Sequence, residues 1–201
     1  MSHEERIKNL GKIRSGVLVG DINNQATVIL ICENGLRNIP KSDISKYTIP
    51  KLIEDYPAIN MSANEILFED FNNDEKEDMI IRSRRTIWIF FQKDLTLMIP
   101  KKLELEITVP IRKMAIADIT NDGICDVVIL TTSTSIPVWR RPCQIMIYPK
   151  RRDGTLDHPE SHFAGYLSID MAIGDINSDG KNDIVVSNHL SRTISVFTNA
   201  M

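Results

Sequence analysis

The stretch that decides the fold is Asp175-Ile-Asn-Ser-Asp-Gly-Lys-Asn-Asp-Ile-Val-Val186, within a chain of 201 residues. Acidic and amide side chains occupy alternate positions of its first five residues, a glycine follows, and a further aspartate precedes an apolar triplet. Side-chain oxygens at alternate positions of a tight loop can converge on one point. An apolar, β-branched triplet after such a loop is typical of a buried strand. The stretch therefore predicts an acidic turn that leads into a β-strand.

Three other segments repeat this pattern. They begin at Asp21, Asp70 and Asp118, and the four leading aspartates are 48 to 57 residues apart. A further aspartate stands at position nine of the second, third and fourth repeats, whereas the first repeat has Ile29 there. Self-similarity at a period of about 50 residues is typical of repeat proteins. We place the repeats at about residues 16–59, 60–107, 108–166 and 167–201.

Each repeat has the pattern of short strands rather than helices. β-branched residues precede and follow each acidic loop, and a third apolar segment comes later, at Thr86–Phe91, Gln144–Tyr148 and Thr193–Phe197. The third repeat is longer because one loop, around Thr131–Arg141, has grown. Short apolar strands in repeats of this length are typical of propeller blades. The sequence predicts a single all-β repeat domain, a β-propeller or partial propeller of about four blades.

The acidic loops carry the predicted chemistry. Numbered from the leading aspartate, the loops of the second, third and fourth repeats have side-chain oxygens at positions one, three, five and nine. Oxygen donors favour a hard cation, and calcium accepts about six to eight of them at looser geometry than magnesium. The sequence therefore predicts up to three Ca²⁺ sites. Their ligands are Asp70, Asn72, Asp74 and Asp78 in the second repeat, Asp118, Thr120, Asp122 and Asp126 in the third, and Asp175, Asn177, Asp179 and Asp183 in the fourth.

Charge and backbone conformation distinguish this prediction from ordinary polar turns. Nine of the 27 acidic side chains are the aspartates at positions one, five and nine of these three loops, where neighbouring carboxylates repel one another unless a cation neutralises them. Gly123 and Gly180 stand at position six, where a sharp turn needs positive φ. Glu75 stands there in the second repeat, at a cost of about 1 kcal/mol. An EF-hand would need a glutamate at position 12 and flanking helices, and the sequence offers neither.

These residues resemble FG-GAP or VCBS-type repeats, as found in the propeller head of integrin α chains. The resemblance runs from about Gly16 to Phe197, although the Phe-Gly and Gly-Ala-Pro signatures are not visible. It implies a calcium-stabilised β-propeller, an ion in the hairpin loop between the first two strands of a blade, and an extracellular or cell-surface setting. The sequence itself carries no signal peptide pattern, so the compartment stays unknown.

Four repeats leave closure of the propeller open. One alternative is a ring in which residues 8–14 supply the strand that the fourth repeat lacks. The other is an open arc of a larger propeller, whose exposed edges would favour self-association. For function, the sequence also leaves open a scaffold fragment with no independent role, beside the two functions weighed below.

The remaining features bear on function. A net charge of −3 gives no electrostatic case for nucleic acid, and no apolar run approaches the roughly 20 residues of a membrane helix. No catalytic constellation is recognisable, so we expect a non-enzymatic calcium-binding interaction module with a protein or glycan partner. The alternative is a domain or fragment of a larger extracellular or polysaccharide-acting enzyme. Trp139, Arg140 and Arg141 are candidate partner-binding residues because aromatic and arginine side chains dominate binding hot spots, although an ordinary exposed loop has the same composition.

Overall fold

A computed structural model describes residues 13–22, 25–32, 35–40, 51–52, 65–76, 78–93, 96–97, 101–103, 105, 107, 109–132 and 142–199. The first four ranges and residues 92–93, 96–97 and 101–102 are described as backbone only. All regular elements in these ranges are β-strands, which confirms the predicted all-β class. None of the described residues forms a helix with the length and hydrophobicity that a membrane crossing requires. The chain divides into two compact units, Met1–Asp70 with Asp74–Glu104, and Phe71–Asn73 with Leu105–Met201.

The first unit contains two four-stranded antiparallel sheets and one two-stranded sheet. Sheet 1 has the order β1 (Ile13–Ile22), β2 (Gln25–Cys32), β3 (Gly35–Pro40) and β4 (Lys51–Leu52). Sheet 2 consists of β5 (Glu65–Glu69), β6 (Asp78–Arg82), β7 (Ile87–Phe90) and β10 (Lys101–Leu103), in the order β10-β7-β6-β5. The small sheet pairs β8 (Gln92–Lys93) with β9 (Thr96–Leu97).

The second unit contains sheets 3 and 4. Sheet 3 has the order β11 (Ile111–Ala117), β12 (Asp126–Thr131), β13 (Pro142–Tyr148) and β14 (Glu160–Tyr166). Sheet 4 has the order β15 (Ser168–Gly174), β16 (Asp183–Asn188) and β17 (Thr193–Phe197). The predicted apolar triplets lie in β6, β12 and β16, and the predicted third strands are β7, β13 and β17, so the strand prediction is confirmed.

The core of the second unit lies between sheets 3 and 4. Successive side chains of a strand point to opposite faces, so alternate residues of each strand share this core. Its buried members include Val128, Leu130, Ile145 and Ile147 from sheet 3 and Met171, Ile184 and Val186 from sheet 4. Removal of this apolar surface from water is the main force that holds the two sheets together.

Strand register fixes the length of the hairpin loops. Residue pairs Glu69–Asp78, Ala117–Asp126 and Gly174–Asp183 close the second, third and fourth loops, which therefore span residues 70–77, 118–125 and 175–182. We call these loops 2, 3 and 4. In the first repeat Ile22 pairs with Gln25, so β1 and β2 run through the positions that form a loop elsewhere. The register also places Thr27 opposite Gly20, which makes Thr27, and not Ile29, the equivalent of position nine.

The enlarged loop of the third repeat lies where the sequence predicts it. β12 ends at Thr131 and β13 begins at Pro142, whereas the corresponding strands of the fourth repeat end at Asn188 and begin at Thr193. The candidate partner-binding residues Trp139, Arg140 and Arg141 lie outside the described residues.

The backbone of the loops is left-handed at two positions. At position six, φ is 65° for Glu75, 81° for Gly123 and 84° for Gly180, which confirms the predicted positive φ. Position four is also left-handed, with φ of 61° at Asn73, 59° at Asn121 and 62° at Ser178. Asparagine tolerates this conformation better than most residues. The three loops thus share one backbone conformation, despite the glutamate in loop 2.

The conformation at position six predicts opposite effects for two substitutions. We expect Glu75→Gly to raise the free energy of unfolding by up to about 1 kcal/mol, because glycine has no left-handed penalty. Gly123→Ala should lower it by about 1 kcal/mol. Nothing lies within 4 Å of a Cβ at position 123, so this loss would come from the backbone alone. Urea unfolding followed by circular dichroism measures both.

The matched control is Lys76→Gly, next to Glu75 and without a positive φ. It should destabilise, because glycine there only increases the entropy of the unfolded chain. A loss of stability in Glu75→Gly as large as that in Lys76→Gly would contradict the assigned strain.

Candidate metal centre

The leading aspartate organises each acidic loop. In loop 3, Asp118 Oδ1 accepts a hydrogen bond from the N–H of Asp122 at 3.2 Å, and Oδ2 accepts one from Gly123 at 2.9 Å. Asp70 and Asp175 accept the equivalent N–H groups in loops 2 and 4. The left-handed residues allow successive N–H groups to point toward one anion. Each loop is therefore wound around a single carboxylate.

The aspartate at position five holds the next part of the loop. Its Oδ1 accepts the N–H of position seven, at 3.1 Å for Asp74, 2.8 Å for Asp122 and 2.9 Å for Asp179. In loop 4 the side chain at position three joins it, because Asn177 Nδ2 donates to Asp179 Oδ2 at 2.9 Å. In loop 3, by contrast, Thr120 Oγ1 donates to Asp126 at 3.2 Å. The structure thus brings positions three and five together in loop 4 and positions three and nine together in loop 3.

Backbone donors favour the ionised form of Asp175. The N–H of Gly180 is the main cause that lowers the pKa of this carboxyl, and the N–H groups of Ser178 and Asp179 add to it, against a smaller opposing effect of desolvation. A hydrogen bond to the charged form of an acid stabilises that form. Asp175 is also exposed, so a negative oxygen pair is available to solvent at the start of loop 4.

Position nine has a different environment from positions one, three and five. Asp78, Asp126 and Asp183 are fully buried. Asp126 Oδ2 accepts the N–H groups of Ile119 and Thr120, both at 3.0 Å, and Asp183 Oδ2 accepts that of Ile176 at 3.1 Å. A buried carboxylate is costly unless hydrogen bonds replace its water. The backbone N–H groups replace those water hydrogen bonds and give position nine a structural role. Its role as a calcium ligand stays a prediction.

The other oxygen of position nine reaches the far end of the same repeat. Asp126 Oδ1 accepts the N–H of Lys150 at 2.9 Å, and Asp183 Oδ1 accepts that of Asn199 at 2.8 Å. Lys150 and Asn199 each lie two residues after the third strand of their sheet, β13 or β17. One buried carboxylate therefore connects the start of the loop, the second strand and the end of the third strand.

The same two residues also contact the loop of the preceding repeat. Lys150 Nζ donates to the carbonyl of Phe71, in the part of loop 2 that belongs to the second unit, and lies 4.3 Å from the centre of its ring. Asn199 Nδ2 donates to the carbonyl of Ile119 in loop 3 at 2.6 Å. Phe71 and Ile119 both occupy position two. Sequence reasoning missed this link because a lysine and an asparagine share no pattern beyond their distance from the third strand.

The donor chemistry of the loops fits a hard divalent cation. Positions one, three and five offer only oxygen-bearing side chains, and those of loop 4 are all exposed. Within the ranges that the structure describes, however, no group of three or more His, Cys, Asp or Glu side chains comes close enough together to hold a metal ion. Calcium binding therefore rests on the donor set and the loop conformation, and the predicted ligands stay predictions.

Comparison with known proteins identifies the repeat. Residues 118–186, which run from position one of loop 3 to the second strand of the fourth repeat, match the sequence profile described as the FG-GAP-like repeat. This segment of the chain carries FG-GAP-like repeat sequence. The match covers the loop 3 and loop 4 aspartates and confirms the resemblance for that segment. It ends at Val186, where the apolar triplet of the fourth repeat ends.

Other comparisons are more distant. No curated protein sequence matches the chain. Among solved structures, the crystal structure of the V. cholerae biofilm matrix protein Bap1 matches 95% of this chain at 15% identity, with a TM-score of 0.43. This chain spans 36% of the length of that one. Similarity at this level carries no argument about function.

The buried carboxylate of the third repeat predicts a specific loss of stability. Asp126→Asn replaces one acceptor oxygen by a donor that faces a backbone N–H, and should lower the free energy of unfolding by about 1–3 kcal/mol. Asp126→Ala removes both acceptors and should cost about 3 kcal/mol or more, because several N–H groups then lack a partner. Urea unfolding measures both variants.

Asp122→Asn is the matched control in the same loop. Asp122 is exposed and accepts through Oδ1, which asparagine retains, so we expect a change within about 0.5 kcal/mol. Equal effects of Asp126→Asn and Asp122→Asn would remove the structural role assigned to position nine.

Proposed function

We propose that the chain is a non-enzymatic interaction module of FG-GAP-like repeats, whose Asp-rich hairpin loops bind Ca²⁺ and which presents its loops to a protein or glycan partner. In this proposal the repeats are blades of a β-propeller or partial propeller of about four blades. The observation that supports calcium is the common conformation of three loops, each wound around an aspartate that begins an oxygen-only donor set. Ordinary polar turns do not require this recurrence.

In loops 3 and 4, positions one, three and five would hold the ion. The ion would supply positive charge that relieves the repulsion between neighbouring carboxylates. The chain's own residues hold the loop in its conformation. The N–H groups at positions five and six orient the leading aspartate, and the buried aspartate at position nine holds the loop on its sheet.

This division makes calcium a stabiliser of loops that already have a framework. A ligand that binds only the folded state stabilises it by an amount that grows with ligand concentration. The hairpins depend first on buried strands and on position nine, so the ion acts mainly on the exposed part of the loop. The loop surface presented to a partner would then be less mobile when calcium is bound. Contact of the partner with Trp139, Arg140 and Arg141 stays a prediction.

Calcium should raise the melting temperature of the full chain relative to chelator. With dissociation constants of about 0.1–1 mM, as in extracellular modules, a tenfold excess of free ion stabilises each site by about 1.4 kcal/mol. Differential scanning calorimetry in Ca²⁺ and in EDTA measures the shift, and isothermal titration counts the ions. Asp175→Ala should remove one bound ion.

Glu160→Ala controls for the loss of an acid outside the loops, since Glu160 lies exposed on β14. It should leave both the ion count and the calcium-dependent shift unchanged. Identical melting in Ca²⁺ and EDTA, with no heat of calcium binding, would overturn the calcium proposal and leave the repeat assignment intact.

A further inference from the structure

We infer that the end of sheets 3 and 4 opposite loops 3 and 4 binds an acidic segment of a partner protein. The inference rests on the proposed interaction function and names the surface and the partner's chemistry. At this end β14 finishes at Tyr166, β15 begins at Ser168 and β16 finishes at Asn188. Tyr166 pairs with Pro142, so the insertion between β12 and β13 also joins the sheet here. We call it the aromatic end.

Four large apolar side chains are exposed at the aromatic end. Phe163 is 57% exposed and Tyr166 44%, and their rings form an edge-to-face pair with centroids 5.4 Å apart. Ile169 is 40% exposed and Leu190 42%. A group of exposed apolar side chains on one part of a surface is typical of a site that binds a partner.

Hydrogen bonds connect the segments that carry these side chains. The N–H of His189 donates to the carbonyl of Leu167 at 3.2 Å, which joins the turn after β16 to the connection between β14 and β15. Arg112 Nε, at the start of β11, donates to the carbonyl of Ile169 at 3.4 Å. The aromatic end is therefore one surface built from both sheets of the second unit.

Backbone strain marks the same surface independently. Six described residues other than glycine have positive φ, and four of them lie in the acidic loops at positions four and six. The other two are Leu167, with φ of 49°, and Arg192, with φ of 55°. Both lie at the aromatic end. Left-handed residues of this kind cost free energy and are concentrated at functional sites.

The charges of the second unit are separated between its two ends. Nine of the ten acidic side chains described between residues 105 and 199 lie in loops 3 and 4, at position nine, or between β13 and the first residue of β14, all at the loop end. The tenth, Asp170, is exposed and lies 3.9 Å from Lys113. Arg112 and Arg192 are exposed, and neither forms an ion pair with a residue whose side chain is described. The aromatic end therefore has an excess of positive charge.

This composition favours an acidic protein partner. Aromatic and arginine side chains are enriched in protein interfaces, whereas aspartate and glutamate are depleted. Carboxylates of the partner would complement Arg112 and Arg192 and can bind a guanidinium through two parallel hydrogen bonds. Ile169 and Leu190 favour a protein over an acidic polysaccharide, because aliphatic surface is stabilised by burial against other apolar side chains.

Peptide display on the full chain tests the inference. Short random peptides are selected on the immobilised chain in EDTA, and fluorescence anisotropy measures the dissociation constant of the most enriched one. The selected peptides should combine Asp or Glu with aromatic or leucine side chains, and should bind more weakly at high salt. Tyr166→Ala and Arg192→Glu should each raise the dissociation constant at least about tenfold. Arg192→Glu leaves the backbone cost of the left-handed residue unchanged.

Arg152→Glu is the matched control. It makes the same change of charge at an exposed arginine between β13 and β14, at the loop end. Because charges farther apart than a Debye length are largely screened at physiological salt, the dissociation constant should change less than about twofold. Circular dichroism should show all three variants folded.

Three results would overturn the inference. The first is selection of neutral or basic peptides, or of none. The second is equal weakening by Arg152→Glu and Arg192→Glu, which would move the partner to another surface and leave the interaction function intact. The third is tighter binding of alginate, an anionic polysaccharide, with loss in Tyr166→Ala, which would assign the aromatic end to a glycan. The number of bound calcium ions is measured separately and depends on none of these results, because the aromatic end contains no residue of the acidic loops.

Discussion

Burial of one carboxylate constrains most of the described architecture around each acidic loop. A charged oxygen pair taken out of water has to find hydrogen-bond donors in the protein, and only correctly placed N–H groups suffice. Asp126 finds them at the start of its own loop and at Lys150, after the third strand. Asp183 does the same with Ile176 and Asn199. Because any other loop path would leave the carboxylate without donors, the loop and the sheet hold one another in place.

Within each short loop, the buried and the exposed acidic residues therefore have different roles. The aspartate at position nine works inside the protein and is satisfied by backbone groups. The oxygens at positions one, three and five lie nearer to solvent, and in the proposed function they would hold the cation. Lys150 and Asn199 then carry the constraint to the preceding loop. Coupling between neighbouring repeats is typical of repeat arrays, in which stability depends on each interface.

Local patterns made much of this arrangement predictable. Apolar, β-branched triplets predict β12 and β16, and glycine at position six predicts left-handed backbone, because both signals lie within a few residues of what they specify. Long-range contacts carry no such signal. Asp126 looks the same in sequence as Asp122, yet one is buried and the other exposed. The sequence pattern also does not predict the register between β1 and β2, because Thr27 and Ile29 suit a strand equally well.

The insertion between β12 and β13 has a consequence for how such a chain can diversify. It enters at the opposite end of β12 from loop 3, so added residues lengthen one end of sheet 3 and leave the end that carries the acidic loop in register. The loop between β12 and β13 can therefore vary without disturbing the hydrogen bonds of the buried Asp126 carboxylate. Foreign peptides grafted after Thr131 should therefore be tolerated, whereas a residue inserted between Thr120 and Asp126 would displace the Ile119 and Thr120 N–H groups from that carboxylate.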